Sequence, residues 1–219
     1  MGGLRFKLDP KGSFFSNDSK LASPPGTSIL ELEQISLRLE EDDVSSDPEY
    51  LTWLQTLVAP GSSLGGARPK ASVLDSNQQL WIAKFPSKQD DFDMGAWEWV
   101  VHQLAIKAGI HMAEGMAQRF SSPHHTFLTK LFDRVGKGRR IYFASAMTLL
   151  GYQDGQDYLA GISYLELAEF ISRISIFVKD DLEELWRRIA FSICVRNVDH
   201  HLRNHGFILT PYGWRLSPA

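Results

Sequence analysis

The chain has 219 residues, 43% of them hydrophobic and 22% charged, with a formal net charge of −3. That is globular composition for one large or two small domains, and it excludes wholesale disorder and a broad basic surface for direct nucleic-acid binding. One cysteine, Cys194, excludes an internal disulfide framework, and the start Met1-Gly-Gly-Leu-Arg-Phe-Lys7 carries no apolar signal core. No stretch nears the ~18–20 apolar residues of a membrane span. A cytoplasmic protein without a membrane anchor is the expectation.

Residues 9–27 are rich in Gly, Ser, Pro and Asn and read as a loop. Thr27 or Ser28 can cap a helix, with Glu31 as the capping-box partner. Ile29, Leu30, Leu32, Ile35, Leu37 and Leu39 give that helix a wide apolar face. A short second helix is expected over 48–58. Gly61-Ser-Ser-Leu-Gly-Gly-Ala-Arg-Pro-Lys70 is a glycine-rich loop, followed by a hairpin of Ala71–Asp75 and Leu80–Phe85 turned at Ser76–Gln79. In that hairpin Ile82 and Lys84 share one face, and Trp81, Ala83 and Phe85 the other.

An acidic loop, Asp90–Asp93, precedes apolar residues at helical spacing from Met94 to Ala108, with Gly109 as the stop. Strand-like pieces follow at Met112–Phe120, Thr126–Phe132 and Arg140–Ala144. Beyond Ala146 the spacing predicts two long helices, Tyr164–Val178 and Leu182–Asn197, the second capped by Asp180 or Asp181. A final hairpin joins Gly206–Leu209 to Trp214–Leu216. This segregation of strands and helices predicts an α+β fold with two lobes.

Three features carry chemistry. The glycine loop can aim backbone N–H groups at phosphate oxygens. It is not a Walker A loop, since no Ser or Thr follows Lys70, and a plain turn before the hairpin is the alternative. Lys84, among apolar neighbours on the second strand, is either a surface residue or a held cation. Glu98, flanked by Trp97 and Trp99, is its candidate partner, as in kinases where a strand lysine pairs with a helix glutamate. Last, Asp199 precedes Asn204 in Asn197-Val-Asp-His-His-Leu-Arg-Asn204 at the interval of the kinase catalytic loop, without the His-Arg that usually precedes the aspartate. A pair of loop-capping side chains is the alternative there. His200, His201 and His205 beside Asp199 also raise a zinc hydrolase, but no His-x-x-x-His or Cys-x-x-Cys spacing supports it. His124 and His125 read as an exposed pair, and Cys194 as a core residue.

In this order, the pieces resemble the HipA-type bacterial serine/threonine kinases, toxins of toxin–antitoxin pairs. The matching text is Ala59-Pro-Gly-Ser-Ser-Leu-Gly-Gly-Ala-Arg-Pro-Lys-Ala71, Trp81-Ile-Ala-Lys84-Phe-Pro, Phe132-Asp133-Arg134 and Asn197-Val-Asp199-His-His-Leu-Arg-Asn204-His. The resemblance implies a protein-kinase-like architecture, with a strand-containing N-lobe over 1–132, an incomplete helical C-lobe over 133–219, and ATP between the lobes. It implies phosphate contacts from Ser63, Gly65, Gly66 and Lys84, with Glu98 as the partner of Lys84. It implies a hinge at Thr129–Phe132, including Lys130 and Phe132, that meets the adenine through its backbone. Asp199 is implied as the catalytic aspartate, Asn204 as a Mg²⁺ ligand, and Ser62 or Ser63 as the autophosphorylation site. An aminoacyl-tRNA synthetase is the implied protein substrate, and a DNA-binding antitoxin the implied partner. Family text continues past Leu216-Ser-Pro-Ala219 to a second metal-binding aspartate. The sequence stops at Ala219, so little or no phosphotransfer is expected of this chain, and a non-catalytic pseudokinase or complementing fragment is the alternative reading.

Overall fold

The computed structural model describes residues 7–12, 29–41, 68–135, 139–153, 155–156, 159, 161–198 and 201–219. The expected cap at Thr27 or Ser28, the helix over 48–58, the glycine loop with Ser62, Ser63, Gly65 and Gly66, and Asp199 lie outside these residues. The described residues fall into two compact units, one within 5–102 and 114–138, the other within 103–113 and 139–219.

The first unit is a four-stranded antiparallel sheet with a helix on each face. Its strands are β1 (Lys70–Leu74), β2 (Leu80–Lys84), β3 (Gly115–Gln118) and β4 (Thr126–Lys130), in the order β1-β2-β4-β3. The β1–β2 turn is fixed by Asp75, whose Oδ1 accepts from Asn77 N and Gln79 N at 2.8 Å each. That turn sets the register Lys70↔Lys84, Ser72↔Ile82. The hairpin alternation is as expected: Trp81, Ala83 and Phe85 are buried, and Ile82 and Lys84 are half-buried.

Helix α1 (Ile29–Arg38) covers the face of Ala71, Val73, Trp81, Ala83, Phe85 and Leu128, inserting Ile29 and Leu32. The expected apolar stripe of α1 is corrected in part. Leu30 is 46% exposed, whereas Glu33 and Ser36 are buried. Glu33 is held inside because its carboxylate accepts from Ser121 N, Ser121 Oγ, Ser122 N and Thr126 Oγ1. Helix α2 (Met94–Lys107) meets the opposite face through His102, which lies against Phe127. Gly115 makes room for it, since a Cβ there would sit 3.0 Å from His102 Nε2. α2 stops at Gly109 as expected: the residue takes φ +78°, and Ile110 N donates to Ala105 O. The two-residue strands β5 (Arg134–Val135) and β6 (Arg139–Arg140) follow.

The second unit packs helices on a three-stranded sheet. Its strands are β7 (Tyr142–Ser145), β8 (Gly206–Thr210) and β9 (Gly213–Leu216), antiparallel in that order. Helices α3 (Ala146–Leu150), α4 (Tyr164–Ile174) and α5 (Val178–Cys194) bury Ala146, Leu167, Ile171 and Leu185 against Phe207 and Leu216.

Three expectations change here. α4 ends at Ile174, because Ser175 turns extended and the chain bridges to Trp214. α5 begins at Val178 after Phe177, so neither Asp180 nor Asp181 caps it. Asp181 is instead buried, its Oδ2 accepting from Leu216 N at 2.7 Å and from Ser175 Oγ at 2.6 Å. Cys194 is exposed. The buried side of α5 runs through Asp181, Leu185, Arg188 and Ser192, and two residues past Ser192 turn the chain about 200° away. Among the described residues, no helix is long and apolar enough to cross a membrane.

Candidate nucleotide site

On the α2 side of the first sheet, direct cross-strand partners share a face. The rows there are Lys70–Lys84–Phe127 and Ser72–Ile82–Thr129. Lys84 reaches out from the end of β2 and forms an ion pair with Glu98 Oε1 on α2, its Nζ lying 5.5 Å from the Phe127 ring centroid. Two residues singled out in the sequence are thus brought together, 14 positions apart in the chain. Both are about one-third exposed, 31% for Lys84 and 35% for Glu98, so the pair remains reachable by a ligand.

The register adds Lys70, which sequence reasoning did not single out, to the Lys84 face. Lys70 ends the glycine loop and stands directly opposite Lys84 in the β1–β2 register. Burial pushes its ammonium pKa down, and the nearby positive charges of Lys84 and Arg68 push it the same way, against the pull of Glu98. Lys70 and Lys84 bring two ammonium groups beside Glu98. That donor set fits phosphate oxygens. The signal that could have found Lys70 is the register itself, which follows from the length of the Ser76–Gln79 turn.

The end of β4 is placed differently. The Lys130 side chain lies on the α1 side of the sheet, over the Trp81 ring at 5.8 Å, and pairs with Glu114 at 2.9 Å. Only the backbone at this position is available to a ligand on the Lys84 face. Leu131 N donates to Leu80 O, and Phe132 follows in a turn that leads to the buried Asp133.

Asn204 belongs to the second unit, in a single 3₁₀ turn, Leu202–Asn204. Leu202 anchors the turn in the core, while Asn204 is exposed. Behind it Gly206 is pressed against Phe143: a Cβ would lie 2.2 Å from that ring. His205 is 1% exposed and lies edge-on to Tyr164, whereas His201 is exposed, so these two histidines are split between core and surface, and His200 lies outside the described residues. Among the described residues, no three His, Cys, Asp or Glu side chains are placed to hold a metal ion. Asn204 is exposed and can offer an amide oxygen, while Asp199, the other residue of the expected pair, lies outside the described residues.

The expected surface pair His124–His125 is corrected. His125 is half-buried, its Nδ1 lying 2.6 Å from Asp93 Oδ2. Burial pushes the Asp93 carboxyl up, but hydrogen bonds from the His125 ring, His125 N and Ala96 N outweigh it and hold the pKa at about 2. A carboxyl lowered in the folded state contributes stability above its unfolded pKa, and that stability is lost as pH falls through the folded one. In urea titrations, stability should therefore drop between about pH 4 and pH 2. Asp93→Asn should flatten the slope in that window, and an unchanged slope would assign the acid sensitivity to other carboxylates.

A family model, the HipA-like C-terminal domain, matches residues 62–219. No curated protein sequence matches the chain. Among the solved structures that share the fold are two kinase-like proteins. HipA of Shewanella oneidensis MR-1, solved with HipB and its operator DNA, aligns at a TM-score of 0.57 and 20% identity, covering 71% of this chain and 42% of that one. CtkA, a proinflammatory kinase of Helicobacter pylori, aligns at 0.53 and 19% identity, covering 73% of this chain and 53% of that one. The chain therefore spans about half the length of these structures. With most of its length matched by the family model, it belongs to the HipA-like C-terminal domain family.

Proposed function

We propose that this chain is a HipA-like kinase unit that binds ATP at the Lys84–Glu98 pair and serves transfer of its γ-phosphoryl group to protein serine or threonine. The Lys84–Glu98 ion pair carries the reading. A strand lysine oriented by a helix glutamate, downstream of a glycine-rich loop, is the arrangement kinases use to hold nucleotide phosphates. Lys70 adds a second positive charge on the same face.

In this reading residues 1–132 form the N-lobe and 133–219 part of the C-lobe. Ser63, Gly65 and Gly66 would supply phosphate contacts, and the backbone of Lys130–Phe132 would meet the adenine. Asp199 would act as the base toward the substrate hydroxyl, and Asn204 would offer its amide oxygen to the magnesium that accompanies ATP. Ser62 or Ser63 accepts phosphate in autophosphorylation. A phosphate there carries about −1.5 to −2 charges and would compete with ATP for Lys70 and Lys84. The Shewanella HipA was solved with HipB and operator DNA, which supports a DNA-binding antitoxin as the partner class. An aminoacyl-tRNA synthetase is the proposed substrate.

Thermal unfolding with and without Mg-ATP tests the reading. Ligand at ~100 times its dissociation constant stabilises by about 2.7 kcal/mol, a midpoint shift on the order of 5–10 °C for a chain of this size. Lys84→Ala should abolish the shift, and Lys70→Ala should reduce it. A folded wild-type chain that shows no shift would overturn nucleotide binding and leave the partner-binding fragment as the better reading.

A further inference from the structure

We infer that Asp93, Gly95 and His125 form a latch that positions Glu98 for Lys84, which makes Asp93 and His125 positioning residues of the proposed nucleotide site. The inference rests on that reading for its function, but its geometry stands by itself. Asp93 immediately precedes α2. Its Oδ1 accepts from Ala96 N at 3.0 Å, capping the first turn, and from His125 N at 2.9 Å. Its Oδ2 meets His125 Nδ1 at 2.6 Å, and Arg119 Nη2 approaches within 3.9 Å. One carboxylate thus holds the start of α2 and the residue just before β4.

Gly95 closes the same joint from the helix side. A Cβ at this position would lie 1.9 Å from the His125 carbonyl oxygen and 2.7 Å from its carbon, so the helix backbone touches the strand entry directly. β4 then runs on to Phe127, which stands opposite Lys84 in the register. The joint therefore has Glu98 on one arm and the neighbour of Lys84 on the other. Glu98 lies only about 7.5 Å along the axis from Asp93, at ~1.5 Å per residue. Its carboxylate follows the orientation of this first turn. Further along, His102 is buried against Phe127 and holds the helix whether or not the joint is closed. Opening the latch should release the first turn and Glu98 while the rest of α2 stays packed.

The test reads Lys84 itself. Amine acylation with mass-spectrometric readout compares Lys84 with Lys107, at the other end of α2, in the wild type, Asp93→Ala, Asp93→Ser and His125→Ala. Losing the cap and the His125 bond together should raise Lys84 labelling relative to Lys107 about five-fold in Asp93→Ala. Asp93→Ser restores the cap to Ala96 but not the contact to His125, so labelling should stay elevated. His125→Ala, which keeps its backbone N–H bond, should give a smaller rise and serves if Asp93→Ala does not fold. In Mg-ATP titrations the same variants should lose affinity in the same order. Lys84 labelling equal to wild type in folded Asp93→Ala and His125→Ala would overturn the latch. A wild type that binds no Mg-ATP would overturn the nucleotide reading alone, because the labelling ratio decides the latch without any nucleotide.

Discussion

Replacing Glu33 with alanine is expected to lower the unfolding free energy by about 3–5 kcal/mol, near the upper end for single substitutions. Glu33 is fully buried on α1, and among the described residues no lysine or arginine pairs with it. Four donors satisfy it instead: Ser121 N at 2.9 Å, Ser121 Oγ and Ser122 N at 2.8 Å each, and Thr126 Oγ1. Alanine removes the acceptor for all four at once. Each buried donor left without a partner costs about 1–3 kcal/mol, and relaxation of the serine loop recovers part of the sum. Glu33→Gln is the informative companion. Its amide oxygen can still accept from the Ser121 and Ser122 N–H groups, and its NH₂ can donate to the Thr126 hydroxyl, so a loss of only about 1 kcal/mol is expected. Urea unfolding of both variants separates the cases. Equal, small losses would mean that the loop finds other partners and that the carboxylate does not organise this end of the sheet. The consequence reaches the site, because the segment Glu33 holds, Ser121 to Thr126, contains His125 and leads into β4.

Much of the first unit was legible from pattern alone. The β1–β2 hairpin follows from strict alternation around a turn-forming tetrapeptide, and that alternation placed Lys84 opposite the core face. Helical spacing from Met94 with a glycine stop placed Glu98 on a helix. What stayed hidden is buried polarity. Glu33, Asp181, Glu184 and Arg188 are 9% exposed or less, yet each reads as an ordinary surface residue in a polar pattern. Their burial depends on partners far away in sequence, such as Ser121 for Glu33 and Leu216 for Asp181, and periodicity carries no record of them. The same limit hid His125 and Lys70. His125 looks like a loop histidine until Asp93 is seen against it, and Lys70 gains a role only when the register sets it opposite Lys84. Cys194 failed for another reason: a run of apolar residues at the end of a helix does not say which of them face inward.

The largest expected loss in the second unit follows replacement of Arg188, which is 5% exposed on α5. Its Nε donates to Glu184 Oε1 at 2.8 Å and its Nη2 to Ser217 O at 2.7 Å, while Glu184 Oε1 also accepts from His111 N at 3.1 Å. Burial works against the charged guanidinium and lowers its pKa, with Glu184 and Asp181 working the other way. Arg188→Ala should cost about 3 kcal/mol, because it leaves the largely buried Glu184 with only the more exposed Arg187, whose Nη1 lies 4.0 Å from Oε2. The double replacement Arg188→Met with Glu184→Leu should recover much of that loss, since a buried pair exchanged for apolar side chains is often near neutral. Recovery should be incomplete, because Ser217 O and His111 N still lose their partners. A double-mutant cycle by urea unfolding reads the coupling, and additive losses would show that the two side chains do not act as a pair. The effect should also reach Asn204. Ser217 N donates to Gly206 O at 2.8 Å, and Ala219 pairs with His111 and Ala113. With Arg188 gone, amide exchange should therefore rise at Ser217 and Ala219 before it rises in the core of α4. If exchange at Ser217 is unchanged in a folded Arg188→Ala chain, the guanidinium stabilises α5 without fixing the strand behind Asn204.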